Sequence, residues 1–191
     1  MELIFGIFLG IGLAAACGFR IFVPLLVISV AAKCGHLTLA NGFEWISSTP
    51  ALICFAVATG LEIAAYYVPW LDNLLDTIAS PAAVVAGIVI TAACVSGMSP
   101  LLQWSLAVIA GGGASAAVQG ITVTARAASS LTSGGLANPL VATVETAAST
   151  ALSILALFLP ILAGGAALLG MIYAVILLFR RRQPQAAVQG Q

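Results

Sequence analysis

Four ionisable side chains, Arg20, Glu62, Arg126 and Glu145, interrupt or border the long apolar stretches of this chain. Two are positive and two negative, so their charges balance. In hydrocarbon such a group costs roughly 2.5–3.5 kcal/mol at a helix centre, and groups kept at that cost usually mark a substrate or ion route. The chemistry open to them is charge recognition. The arginines suit an anionic group, and Glu62 or Glu145 suits a coupling proton or cation. The alternative is two structural ion pairs that hold a helix bundle together.

The segment from Thr124 to Pro139 adds a second motif. Gly134-Gly135 disfavours a regular helix, and Asn138 before Pro139 reads as an N-cap followed by a proline at the first helical position. A helix restarting there offers N–H groups and the positive end of its dipole to an anion. Arg126 would add a fixed positive charge. The candidate binding residues are therefore Arg20, Arg126, Gly134, Gly135 and Asn138, with Glu62 and Glu145 as candidate ion-coupling residues. In water the same segment would be an ordinary loop.

Enzyme motifs fail on context. Gly10-Ile11-Gly12-Leu13-Ala14-Ala15 imitates a dinucleotide fingerprint, but no strand precedes it. Gly113-Ala114-Ser115-Ala116 faintly resembles the serine motif of rhomboid-type intramembrane proteases. That chemistry needs a histidine base within reach, and the only histidine, His36, falls in a polar loop. The four cysteines show neither a C-x-x-C pair nor zinc spacing. Those inside apolar runs read as small hydrophobes. No catalytic residue, metal or cofactor is expected.

Composition says what must position these groups. Of 191 residues, 62% are hydrophobic and 6% charged, against roughly 25% charged in a soluble domain. Lipid must replace the missing polar surface. A formal net charge of zero gives no footprint for nucleic acid. The expected fold is all-α, a polytopic bundle of about six transmembrane helices in one domain over residues 1–182, with a disordered tail at 183–191.

The expected spans follow the apolar runs, at about 20 residues each. Residues 3–32 exceed one straight span, and Arg20 with Pro24 predicts a kinked or broken helix, a re-entrant hairpin being the alternative. Spans at about 50–68, 81–97, 101–125, 140–160 and 161–179 complete the set. Between them, Asp72 and Asp76 at i and i+4 predict a short interfacial helix with Trp70 at the headgroup level. The first residues lack the positive n-region of a signal peptide and read as a retained span. Six spans put both termini on one side, and Arg180-Arg181-Arg182 places that side in the cytoplasm. The halves 1–97 and 98–182 each pair an Arg near a helix break with a Glu in the next span. That suggests a 3+3 inverted repeat with broken helices, as in many secondary transporters. Small residues at helical spacing (Gly6 and Gly10, Gly112 and Ala116, Gly113 and Ala117, Ala166 and Gly170) predict close helix packing, a homo-oligomer contact being the alternative.

Motif by motif, the chain resembles a bacterial membrane family known as domain of unknown function 4126. The matching pieces are Gly18 to Leu26, Leu61-Glu62, Val68 to Asp76, and Thr132 to Pro139 with Glu145 beyond. Where that family commonly carries an aspartate and a lysine before the Val-Pro step, this chain has Tyr66-Tyr67. The resemblance covers about residues 5–165. It implies a bacterial multi-span protein and carries no established activity; the expected location is the inner membrane. The reading is a small transporter or channel-like permease for an anionic solute, with proton or cation coupling. A membrane scaffold or assembly protein, or a translocase of an anionic lipid headgroup, are the alternatives.

Overall fold

The computed structural model describes residues 2–182, without the side chains of 69–76, 174–175 and 177–182. The expected roles of Trp70, Asp72, Asp76, the Arg180-Arg181-Arg182 cluster and the tail 183–191 lie outside the described residues. The chain forms α1 (Glu2–Cys17), α2 (Phe22–Lys33), α3 (Thr49–Ala65), α4 (Pro69–Cys94), α5 (Pro100–Leu106), α6 (Gly113–Ser133), α7 (Asn138–Phe158) and α8 (Pro160–Arg182). A π-helical turn, Ala107–Gly112, joins α5 to α6 in one rod, and no strand occurs among the described residues. Thr77–Cys94, Pro100–Ser133 and Asn138–Phe158 are long and apolar enough to cross a membrane. Large apolar side chains such as Leu102, Ile109, Val144 and Leu169 face outward, a surface suited to lipid. The residues expected to form a separate interfacial helix are instead the first turns of α4.

The first apolar run is a helical hairpin, not a kinked rod. The Lys33 ammonium donates to Thr49 Oγ1 at 2.8 Å. The Ala40 N–H donates to the Ala93 carbonyl, also at 2.8 Å, one residue from Cys94, whose carbonyl lies against Gly6 of α1. Had α2 continued the direction of α1, Lys33 would stand about 18 Å beyond the break and Gly6 about 21 Å before it, at about 1.5 Å per residue. The seven residues from Cys34 to Ala40 extend at most about 25 Å and could not bridge that gap. Hence α2 turns back at residues 18–21.

Neighbouring contacts set the remaining directions. α3 runs against α2, with Glu62 beside Phe22 and Thr49 beside Lys33. α4 runs against α1, with Thr91 on Gly10 and Cys94 on Gly6. α6 runs against α4, through Ser115 Oγ to the Ala83 carbonyl and Gln119 to Ser80. α7 runs against α1, with Ser149 at Ala16 and Ala156 at Gly12. α8 returns parallel to α1, passing Gly12 at Ala163 and Gly113 at Met171. These directions place Glu2 and Arg182 at opposite ends of the bundle, so the expectation of six spans with both termini together does not hold. One hairpin helix more than expected reverses the parity. Nor do the halves 1–97 and 98–182 repeat as 3+3, because the first contains four helices and the second three rods.

Tight packing comes from small residues, though not from all those singled out. A Cβ on Gly6, Gly111 or Gly164 would collide with the Cys94 carbonyl, with Thr91, or with the Phe8 backbone. These glycines let α1 seat directly on α4 and α8, and the π turn on α4. Gly170 by contrast meets nothing, and Ala166 is also exposed. That expected packing pair points away from the bundle.

The hairpin has a direct test. Cys34 lies exposed in the loop after α2, and Leu3 is exposed at the start of α1. In a chain whose other cysteines are replaced, a membrane-impermeant maleimide should label Cys34 and a cysteine from Leu3→Cys from the same face of the membrane, whereas a kinked rod would put them on opposite faces. A cysteine from Leu136→Cys, in the turn between α6 and α7, should be labelled from the face opposite to both. Labelling of Cys34 and the Leu3→Cys position from opposite faces would contradict the fold.

Candidate functional site

Arg20 stands at the tip of the α1–α2 hairpin, where the helix break leaves backbone groups to be satisfied. In lipid no water can take them, so the protein must. The Gly18, Phe19 and Arg20 N–H groups close back onto Ala15 and Ala16. The Ile21 and Phe22 N–H groups donate to the two carboxylate oxygens of Glu62 at 2.8 and 3.0 Å. Glu62 therefore caps α2 from α3, a negative charge at the positive end of a helix dipole. From α7, Ser149 Oγ donates to the Ala16 carbonyl at 3.0 Å.

The Arg20 side chain is 1% exposed and reaches into α7. Its Nε donates to Thr146 Oγ1 at 3.0 Å, its Nη2 to the Ala142 carbonyl at 2.8 Å. Nη2 also lies 3.5 Å from Glu145 Oε2. Arg126 projects from α6 onto the same carboxylate and engages both oxygens, Nε to Oε1 at 3.0 Å and Nη2 to Oε2. Arg126 and Glu145 are each 4% exposed. A bidentate arginine–carboxylate pair fixes geometry as well as charge. Tyr66, at the end of α3, completes the cluster: its ring centroid lies 4.0 Å from Arg20 Cζ and 3.9 Å from Arg126 Cζ. An aromatic face buried beneath a cation stabilises it by about 1–2 kcal/mol.

Arg20, Arg126 and Glu145 thus meet at one place, with Glu62 one residue further along the hairpin. Because both arginines contact Glu145 and Tyr66, they share one depth. A 3+3 inverted repeat of the two Arg–Glu halves would set Arg20 and Arg126 at opposite depths, which this shared depth does not support. Glu145 lies between the two arginines as their common anion.

Gly134, Gly135 and Asn138 are not brought to this cluster. The helix does break and restart as expected: Gly134 and Gly135 take φ of 61° and 88°, a region that favours glycine, and α7 begins at Asn138. But Asn138 is no N-cap. Its Nδ2 donates to Ser130 Oγ at 3.0 Å, and the cap position falls on Ala137. The N–H groups meant for an anion are taken by the turn itself. Ala137 donates to Ser133 Oγ, Asn138 to the Gly135 carbonyl, and Leu140 and Val141 to the Ala137 carbonyl. Asn138 also precedes Glu145 by seven residues of helix, about 10 Å at the usual rise. The anion site expected at this helix start is therefore closed.

Two cavities approach the charges. One of about 360 Å³ lies between the start of α2, α3 and α4 and is lined by apolar side chains, by Tyr66 and by Glu62. The other is an open groove of about 520 Å³ along α7, bounded by Tyr67, Thr143, Thr146, Thr150 and Ile154. Tyr66 and Thr146 are the site residues that sequence reasoning did not select. Tyr66 registered only as a departure from the family pattern, and nothing in the spacing of Thr143, Thr146 and Thr150 announced that one of them meets an arginine. Among the described residues no cluster of His, Cys, Asp or Glu could hold a metal.

The family model described as "Domain of unknown function (DUF4126)" matches residues 7–181, and the chain belongs to that family. No curated protein and no solved structure matches it.

The geometry ranks substitutions by cost. Arg126→Met leaves the Glu145 carboxylate buried without its bidentate partner and should destabilise the protein by about 3–5 kcal/mol. Gly135→Ala, which only forces an alanine into the left-handed region, should cost about 1–2 kcal/mol. Thermal unfolding of the purified proteins in detergent reads the order. Equal losses, or the reverse order, would remove the cluster from its place in the fold.

Proposed function

We propose that this DUF4126 member is a small permease of the bacterial inner membrane. It holds the anionic group of its solute at Arg20 and uses Glu62 to exchange a coupling proton or cation. The observation that carries this reading is the unequal pairing of the two arginines. Arg126 takes both oxygens of Glu145, whereas Arg20 has only the 3.5 Å approach to one of them. The buried Arg20 Nη1 has no hydrogen-bond partner among the described residues. A buried charged donor left unmade is costly, by more than the 1–3 kcal/mol of a neutral group, and an incoming anion would relieve it.

Of the two glutamates, Glu62 is the better coupling group. It lines a cavity, whereas Glu145 is held by Arg126. Protonation of Glu62 would also weaken its hold on the Ile21 and Phe22 N–H groups, so proton binding and movement of the hairpin tip would go together. A scaffold protein would have its buried charges fully paired and no cavity reaching them; the unpartnered Arg20 Nη1 among the described residues and the cavity at Glu62 favour the permease instead. The proposed orientation follows from flanking charge. Arg180-Arg181-Arg182 stand at the end of α8, and the positive-inside rule assigns such a cluster to the cytoplasm, which would leave the start of α1 outside.

Transport by proteoliposomes tests this. Wild-type protein should take up at least one member of a panel of small inorganic and organic anions. Arg20→Gln should lower that uptake by about tenfold or more, the worth of one charge-assisted hydrogen bond, while Arg20→Lys keeps part of it. Glu62→Gln should fold but lose the dependence of uptake on a proton or cation gradient. If wild type moved no anion in the panel, the scaffold reading would replace this one.

A further inference from the structure

We infer that the solute of this site is an anionic amphiphile, a lipid-borne phosphate or carboxylate headgroup that arrives sideways from the bilayer along the outer face of α7. This rests on the anion reading of Arg20 and adds the substrate class and its route. The groove bounded by Tyr67, Thr143, Thr146, Thr150 and Ile154 is open along its side. It spans eleven residues of helix from Thr143 to Ile154, about 16 Å. Its composition is graded. Tyr67, Thr143 and Thr146 line the end near the α3–α4 turn, Ala147 and Thr150 the middle, and Ala151 and Ile154 the end deeper along α7, so the lining grows more apolar away from the turn. A lipid has the same order, headgroup at the interface and chain toward the bilayer centre. A water-soluble anion would gain nothing from the apolar end.

The hydroxyls themselves cannot hold an anion. Thr143, Thr146 and Thr150 donate their protons to the carbonyls of Pro139, Ala142 and Thr146, each at 2.8 Å. With the Thr143 proton so placed, Tyr67 donates to Thr143 Oγ1 at 2.9 Å. The groove wall therefore presents oxygen lone pairs, and the donor must come from behind it. Arg20 is that donor. Its Nε is bound to Thr146 Oγ1 in the groove wall, and its Nη1 is without a partner among the described residues. Rotation of the Thr146 side chain would exchange one neutral acceptor for a charged headgroup, a stronger partner for a guanidinium. Thr146 is in this scheme a positioning residue. Arg20 is the group that touches the headgroup.

Nanodiscs of phosphatidylcholine carrying a minor fraction of photoreactive phosphatidic acid supply the test. Wild type should crosslink to the phosphatidic acid probe on α7, and a photoreactive phosphatidylcholine should label it at least about tenfold less. Ala151→Trp, which fills the groove at an exposed position without touching Arg20, should cut labelling about tenfold while the melting temperature stays unchanged. Arg20→Gln should do the same to labelling. Millimolar inorganic phosphate should not compete. Labelling that free phosphate abolishes and Ala151→Trp leaves intact would overturn the lipid route while leaving the anion site in place. Labelling indifferent to Arg20→Gln would overturn both.

Discussion

A helix that breaks inside an apolar bundle must find partners for the backbone groups it frees, because lipid offers none. In this protein the break falls at residues 18–21, and much of the architecture answers it. Glu62 reaches across from α3 to take two N–H groups, and Ser149 reaches from α7 to the Ala16 carbonyl. Those bonds tie the hairpin to helices far from it in sequence. They also explain why a carboxylate sits in a span that otherwise reads as apolar. Its first task is structural.

The turn then delivers Arg20 to α7, at the depth where Arg126 arrives from α6. Glu145 answers both guanidinium groups, but a carboxylate has only two oxygens and Arg126 holds them. Tyr66 shares its ring between the two cations. Buried ion pairs often do no better for stability than well-packed hydrophobic residues. On the permease proposal, the unequal pairing leaves Arg20 able to take a further anion, and the helix break, the cap at Glu62 and Arg20 would form one device that links charge binding to movement of the hairpin tip.

Close packing makes this arrangement rigid elsewhere. Where Gly6, Gly111 and Gly164 stand, backbones touch backbones, and α1 is gripped by α4 and α8. The π turn at Ala107–Gly112, held against Gly87 and Thr91, adds a local adjustment of the kind often found at functional sites. Against that frame, the side of α7 facing the groove is comparatively open.

The sequence by itself determined the class. Its 62% hydrophobic composition demanded helices and a nonpolar exterior. Gly134-Gly135 demanded a helix break because only glycine takes their positive φ at little cost. Arg20, Arg126 and Glu145 were legible as partners because so few charges existed to choose from. Only the tertiary structure decided direction and pairing. Arg20 with Pro24 marks a break but not its angle, since a kink and a hairpin have the same local sequence. The difference lies in long-range bonds such as Ala40 to Ala93. The start of α7 looked like an anion site because capping residues are recognised by type. Whether their N–H groups remain free depends on how the preceding turn folds back, and here Ser133, Gly135 and Ala137 consume them. Tyr66 and Thr146 entered the site for the same reason. Uncharged residues carry no signal of their own in an apolar sequence, and proximity to an arginine is a property of the fold.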